Sequence, residues 1–536
     1  MHDIIIKNGT IIDGTGKQAI TGDIAISGDK IVKISPHIEE SAVRFIDAKD
    51  KIVIPGFIDP HVHEEWVCFI DGSYEHFLRQ GVTTLINGNC GHSITPGPTT
   101  NMIEYYWGNG LLSTRQKDQY KDRFPQWHDF SSYLDAAQRA GTNINMGTLL
   151  GHGTLRWTEM HGAHDRPPSK EENNAIERWI RQGMEQGAMG ISFGLDYVPS
   201  RYAKLDELVH VAKLIHEYNG VAAAHLRHAI GVKEATEEFV NVGRLSGVRI
   251  QVSHLKPSCP EAFDVVLRAA RDEKLPVRVD TIPRSTGHCT SKSRLILFVM
   301  ALSDELFAAG PEGVKRALGT KIGREIIKKD ASIFAGDKAD LFVVRSEDPQ
   351  LEARSVKDIA LERGVSPDDC MLDLIADEKD YTFWLGGPSR KDFPLAGHAD
   401  SIVQNPYVSV GTDEIMGDPE DPFDWYELQR RGGFPIFFQM YRSKGVAIEE
   451  IVRRNTTMVA EHFNLKQRGK LAEGWYADIA ILDPDNYTFP APTMESYKYP
   501  LTVAQGVSYV LVNGKLALDK GEVKESRSGI MLKRGE

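Results

Sequence analysis

Two histidines one residue apart, His61 and His63, stand in "FIDPHVHEEW" at 57–66, at the end of an apolar run. Residues i and i+2 of a strand face the same side, so both imidazoles can converge on one ion. Further candidates of the same chemistry lie far downstream: Cys90 in "NGNCG", His225 in "AAHLRH", His254 in "VSHLK" and Asp413 in "VGTDE". Imidazole nitrogen, thiolate sulfur and carboxylate oxygen are the ligands Zn²⁺ takes, whereas calcium and magnesium prefer shells of oxygen alone. Three firm protein ligands leave a zinc with an open position, and Cys90, His225 and His254 can supply them. His61 and His63 can hold a second ion beside the first, with the thiolate between the two. Zinc brings the pKa of a bound water to about 7 and polarises a carbonyl, so Asp413 would take the water's proton and return it to a departing amine. The outcome would be hydrolysis of an unactivated amide.

Each candidate has an ordinary alternative. A histidine at a strand end is commonly just a hydrogen-bonded polar residue, and free cysteine is among the most buried residue types. An aspartate before a helix caps it. For Cys90 the surrounding Gly and Asn suggest instead a tight, accessible loop. The order of the residues along the chain favours the metal reading. Between the chain ends, apolar strands alternate with amphipathic helical stretches, the pattern of parallel βα units. Eight candidate strands follow in turn: 56–63, 82–91, 144–153, 187–195, 221–228, 248–256, 277–283 and 407–414. His61 and His63 end the first, Cys90 the second, His225 the fifth, His254 the sixth and Asp413 the eighth. Barrel enzymes keep their chemistry at the C-terminal ends of their strands.

The expected fold is therefore α/β, a (β/α)8 TIM-like barrel over 56–470. The chain ends, 1–55 and 471–536, are rich in short strands and turns, and "VNGK" at 512–515 carries a two-residue hairpin signal. They are expected to form one small β-sandwich. The stretch 284–406, too long for a plain connection before the last barrel strand, reads as an inserted subdomain.

At 536 residues, with 41% hydrophobic residues, the chain can fill a large core. A net charge of -12 without clustered Lys and Arg excludes a nucleic-acid surface. Five cysteines, odd in number and irregular in spacing, point to a reducing cytoplasm rather than a disulfide framework. Neither an export signal nor a membrane span is read, and homo-oligomers are compatible with the sequence. "DGTGK" at 13–17 is no phosphate loop, because Ile11 stands where glycine is required and Gln18 follows the lysine.

Taken together, these residues resemble the amidohydrolase superfamily, and more narrowly its D-aminoacylase (N-acyl-D-amino-acid deacylase) branch. "GFIDPHVH" looks like the superfamily's strand-one motif, and "GKLAEGWYADIAILDPD" at 469–485 resembles its return into the β-sandwich. Many amidohydrolases bridge two metals with a carboxylated lysine on the fourth strand, yet "GAMGISFGL" contains no lysine. The D-aminoacylase branch uses a strand-two cysteine, which matches Cys90, and "GHGTLR", "AAHLRH" and "VSHLK" are similar to that branch as well. The resemblance implies one tightly held zinc, a second weaker site, and a small N-acyl amino acid or related amide as substrate. The departures concern the substrate carboxylate. Ile282 and Arg284 in "DTIPRSTGHCTS" replace the branch's tyrosines, and "DEIMGDPEDPFDW" is acidic where relatives carry His and Arg. Arg284 is the candidate replacement partner for a carboxylate. Arg227 and Lys256, which follow ligand histidines, and His152 with Arg156 are further pocket candidates. Two other readings remain: a cyclic amide hydrolase of the dihydroorotase or hydantoinase kind, and a catalytically silent barrel.

Overall fold

The computed structural model describes residues 1–161, 165–255, 257, 259–282, 288–292, 305–306, 310–330, 341–385, 403–415, 430–490 and 502–536. Both ends of the chain enter one nine-stranded sheet. From the N-terminal end come His2–Ile11, Ile20–Ser27, Lys30–Ser35, Ala42–Asp47 and Ile52–Pro55. Ile479–Leu482, Val507–Val512, Lys515–Asp519 and Glu522–Val523 complete it, joined through the antiparallel pair Ile52–Pro55 and Ile479–Leu482. The alternation visible in "DIIIK" and "DIAIS" explains the faces: Ile4, Ile6, Ile24 and Ile26 share a core with Ile479, Ile481 and Leu511. Ile5 and Ala25 point the other way, onto Ile38. The "VNGK" signal gives a tight hairpin, with Asn513 at φ 48° and Gly514 at φ 76°, the left-handed pair that a type I′ turn requires.

All eight strands expected between the chain ends contain observed strand. Phe57–Asp59, Val82–Asn87 and Asn145–Thr148 pair in parallel as one sheet. Leu150–Gly151, Gly190–Gly194, Val221–His225, Arg249–Val252, Val277–Thr281 and Val408–Val410 pair in parallel as a second. Only Leu149 separates the two sheets along the chain, and its N–H donates to Asn87 O. First and last strands also meet: Val62–His63 pairs with Glu414–Ile415, and Asp413 N donates to His61 O at 2.8 Å. The expected first strand is broken, with Pro60 and His61 between Phe57–Asp59 and Val62–His63.

Helices follow the strands because the intervening segments carry an apolar stripe, and some of them carry a capping box as well. In Lys170–Glu185, Ser169 accepts from Glu172 N while the Glu172 carboxylate accepts from Ser169 N. Ala175, Ile176, Ile180, Gly183 and Met184 bury that helix's inner face. Between Val277–Thr281 and Val408–Val410 the chain forms a separate four-stranded sheet, His288–Ser291, Tyr381–Leu385, Leu341–Ser346 and Arg354–Ser355. Its core is its own, built on Val343, Ile359, Leu372 and Phe383.

A buried polar network ties the nine-stranded sheet to the parallel strands. Arg468 pairs with Asp478 and donates to Asn513 Oδ1, while Asn145 Nδ2 donates to Asp478 Oδ2 and Asn513 Nδ2 to Asn145 Oδ1. Each member bonds another, and the Arg468 guanidinium, whose Nε and Nη2 have no hydrogen-bond partner among the described residues, lies over the Tyr476 ring at 3.9 Å. No helix among the described residues is long and apolar enough to cross a membrane.

Candidate metal centre

The residues that the sequence puts at strand ends converge at one place. Cys90 Sγ lies 3.4 Å from His254 Nε2 and 3.9 Å from His225 Nδ1, and those two nitrogens are 2.9 Å apart. On its other side the same sulfur is 3.3 Å from His61 Nε2. Asp413 Oδ1 is 3.4 Å from His61 Nε2 and 3.3 Å from His63 Nε2. Two donor groups result, Cys90 with His225 and His254, and His61 with His63, Cys90 and Asp413, each with its ligand atoms within 4.8 Å of one another. The sulfur belongs to both.

Local backbone geometry aims these side chains. Cys90, His254 and Asp413 have φ values of 54°, 34° and 52°, in the left-handed region that non-glycine residues seldom occupy. Strain of this kind costs on the order of 1–3 kcal/mol per residue and persists where surrounding structure enforces it. Around Cys90 the enforcement is steric: a side chain at Gly194 would collide with Cys90 O, and one at Gly88 with the backbone of Leu149. The loop is tight as expected, but it is not accessible; Cys90 is 4% exposed.

Carboxylates behind the candidate ligands hold them in place. Asp280 lies 3.4 Å from His61 Nδ1, accepts from His254 N at 2.8 Å and from Gln251 Nε2 at 2.6 Å. Asp59 accepts from His61 N and from Thr412 Oγ1, linking the first strand to the last. Asp196 Oδ2 sits 3.2 Å from His225 Nε2, and Tyr197 Oη 3.0 Å from His225 Nδ1. None of Asp59, Asp196, Tyr197 and Asp280 figures among the sequence candidates. The sequence signal for Asp196 and Tyr197 is their place directly after the fourth strand, at the end where barrel chemistry gathers.

The donor set fits a thiophilic cation. Burial pushes the Cys90 thiol up to about 11, and neighbouring His61 offsets only part of that rise. A thiolate at neutral pH in such a place needs a positive partner, and a metal ion is the strongest available. Burial, together with neighbouring His225, holds His254 well below the ordinary histidine range, in the neutral form that ligates.

Of the remaining candidates, His152, Arg156 and Arg227 lie among the described residues, each with its own partners. His152 is fully buried, with Nδ1 2.9 Å from Ser200 Oγ and Nε2 3.1 Å from Glu207 Oε1. Arg156 donates to the same Glu207 oxygen and to Arg166 O. Arg227 donates to Glu238 and to the carbonyls of Arg201 and Ala203, so it braces a loop. Lys256 and Arg284 lie outside the described residues.

The Glu207 cluster carries a pH prediction. Burial alone would raise this carboxyl, but the hydrogen bond from His152 and the charge of Arg156 outweigh it and hold it at about 2. A depressed carboxylate stabilises the fold above its unfolded value, near 4.5, and the contribution is lost as pH falls from there toward 2. Glu207→Gln is expected to be less stable than wild type at about pH 6 by on the order of 2–3 kcal/mol, with the gap closing as the pH approaches about 2. Urea unfolding at a series of pH values reads this directly; a gap independent of pH would contradict it.

Residues 44–303 and 409–517 match the Amidohydrolase family. Over its whole length the chain is 26% identical to the N-acyl-D-aspartate deacylase of Alcaligenes xylosoxydans xylosoxydans, covering 95% of that protein. It is 27% identical to the D-aminoacylase of the same organism, over 96% of this chain and 93% of the relative. The structure of the N-acyl-D-glutamate deacylase from Bordetella bronchiseptica, complexed with zinc and a phosphonate inhibitor, superposes with a TM-score of 0.75 at 24% identity over 99% of each chain.

Proposed function

This chain belongs to the amidohydrolase family, and from that membership we propose that it is a zinc-dependent hydrolase that deacylates N-acyl-D-amino acids. The relatives named above act on substrates of this kind, and they align with the chain almost end to end. In this reading the parallel strands form one closed (β/α)8 barrel over 56–470. The two chain ends make one β-sandwich, and 284–406 is an insertion before the last barrel strand.

Cys90, His225 and His254 would hold the tight zinc, and His61 and His63, with Asp413, a weaker second ion. When bound, zinc supplies Lewis acidity, which brings the pKa of a water to about 7 and polarises a carbonyl. Asp413 then serves as general base and acid. Its Oδ1 takes a proton from the attacking water as the new C–O bond forms. It gives that proton to the amine nitrogen as the C–N bond breaks, so a free amino acid and a carboxylic acid leave. His61 and His63 keep this oxygen facing the sulfur-centred cluster.

The observation that supports this reading most is the meeting of one buried thiol with two imidazoles, while a carboxylate faces two more. The experiment is to incubate purified protein with N-acetyl-D-amino acids, their L-counterparts and hydantoins, and to assay released amine and ring opening. Turnover of D-substrates, lost on chelation and restored by zinc, is expected. Ring opening of hydantoins alone, or no turnover with zinc replete, would overturn the proposal.

A further inference from the structure

The carboxylate that meets the outer nitrogen of His225 lies outside the group formed by Cys90, His225 and His254. A neutral imidazole carries one N–H, and His225 has polar neighbours at both ends. Nδ1 faces inward, 2.9 Å from His254 Nε2 and 3.9 Å from Cys90 Sγ. Nε2 faces outward, 3.2 Å from Asp196 Oδ2. An ionised carboxylate can only accept, so Nε2 must carry the hydrogen and Nδ1 must present its lone pair inward. The same Asp196 oxygen lies 2.8 Å from His228 Nδ1, and the ring of His228 stands edge-on to that of His225 at 5.0 Å.

We propose that Asp196 is a positioning residue for the tight metal site, fixing the tautomer and orientation of His225 so that Nδ1 completes the set begun by Cys90 and His254. Resting on the zinc reading above, this adds a residue to which that reading gives no role. Metal-bound histidines regularly donate their second N–H to a carboxylate, and loss of that partner costs about 10–100-fold in metal affinity. Here the supporting loop is built in. Asp196 and Tyr197 directly follow the strand Gly190–Gly194, Leu195 N donates to His225 O, and Tyr197 N donates to Gly194 O. Six residues past the strand Ser200 is pinned to His152, which Glu207 holds from the other side. The hydrogen bonds that hold His152 thereby also hold the loop that carries Asp196.

The test compares wild type, Asp196→Ala and Asp196→Asn by chelator competition with zinc, together with the visible spectrum of the cobalt-substituted proteins. In Asp196→Ala the tight site is expected to weaken by about 10–100-fold and the cobalt spectrum to change, because one nitrogen donor is no longer held in place. Asp196→Asn, which keeps an acceptor oxygen but no charge, should fall between the two and guards against misfolding of the alanine variant. Wild-type affinity and spectrum in both variants would overturn the assignment of Asp196 alone. Wild-type protein that takes up no zinc would overturn the zinc reading and this inference together.

Discussion

Cys90→Ala is expected to be purified without its tightly held zinc and without measurable deacylase turnover. Its sulfur is the one atom common to both donor groups, so its removal leaves two imidazoles at one site and breaks the link to the other. Two neutral nitrogens do not replace a thiolate, whose charge is what a dication in a buried site requires. The fold itself should survive. Replacing a thiol by a hydrogen removes little buried volume, and the backbone strain at this residue is set by the packing of Gly88 and Gly194 around it. Elemental analysis, beside a thermal unfolding curve taken without metal, separates loss of the site from loss of the protein. A variant with one full equivalent of zinc would remove Cys90 from the ligand set.

Asp413→Asn should behave in the opposite way, keeping the tight zinc and losing the chemistry. The amide is nearly isosteric, so the 2.8 Å hydrogen bond from Asp413 N to His61 O and the turn it closes are preserved. What disappears is the ability to accept a proton from water and pass it to nitrogen. General acid–base catalysis of this kind is worth about 10²–10⁴-fold, or roughly 3–5 kcal/mol of barrier. The loss should fall on kcat, with KM little altered, because the residue contributes to the transition state rather than to substrate binding. Near wild-type kcat at full zinc occupancy would take Asp413 out of the mechanism.

The candidate ligands were legible in the sequence because metal chemistry admits few residue types and a parallel sheet sends its chemistry to one end. Once the apolar runs were recognised as strands, His61, His63, Cys90, His225, His254 and Asp413 fell at their ends, and the structure brings all six together. The supporting residues were harder to see. Asp196 reads as an ordinary turn residue after a strand, and its partner His225 is 29 positions away. His152 shows a different difficulty. A histidine opening a helix after the third strand looks the same whether it faces a pocket or Glu207, and only tertiary packing decides. Left-handed backbone at Cys90, His254 and Asp413 likewise leaves no mark in residue type, since none of the three is glycine. The broken first strand follows from Pro60, which has no N–H to donate. The rings of His61 and His63 nevertheless stay 5.6 Å apart and face the same Asp413 oxygen.

The central claim is that sulfur from residue 90 and nitrogen from residues 225 and 254 hold one zinc, and X-ray absorption at the zinc edge tests it most directly. Protein loaded with a single equivalent should show one sulfur neighbour at about 2.3 Å together with nitrogen neighbours at about 2.0–2.1 Å. A shell of nitrogen and oxygen alone would contradict it.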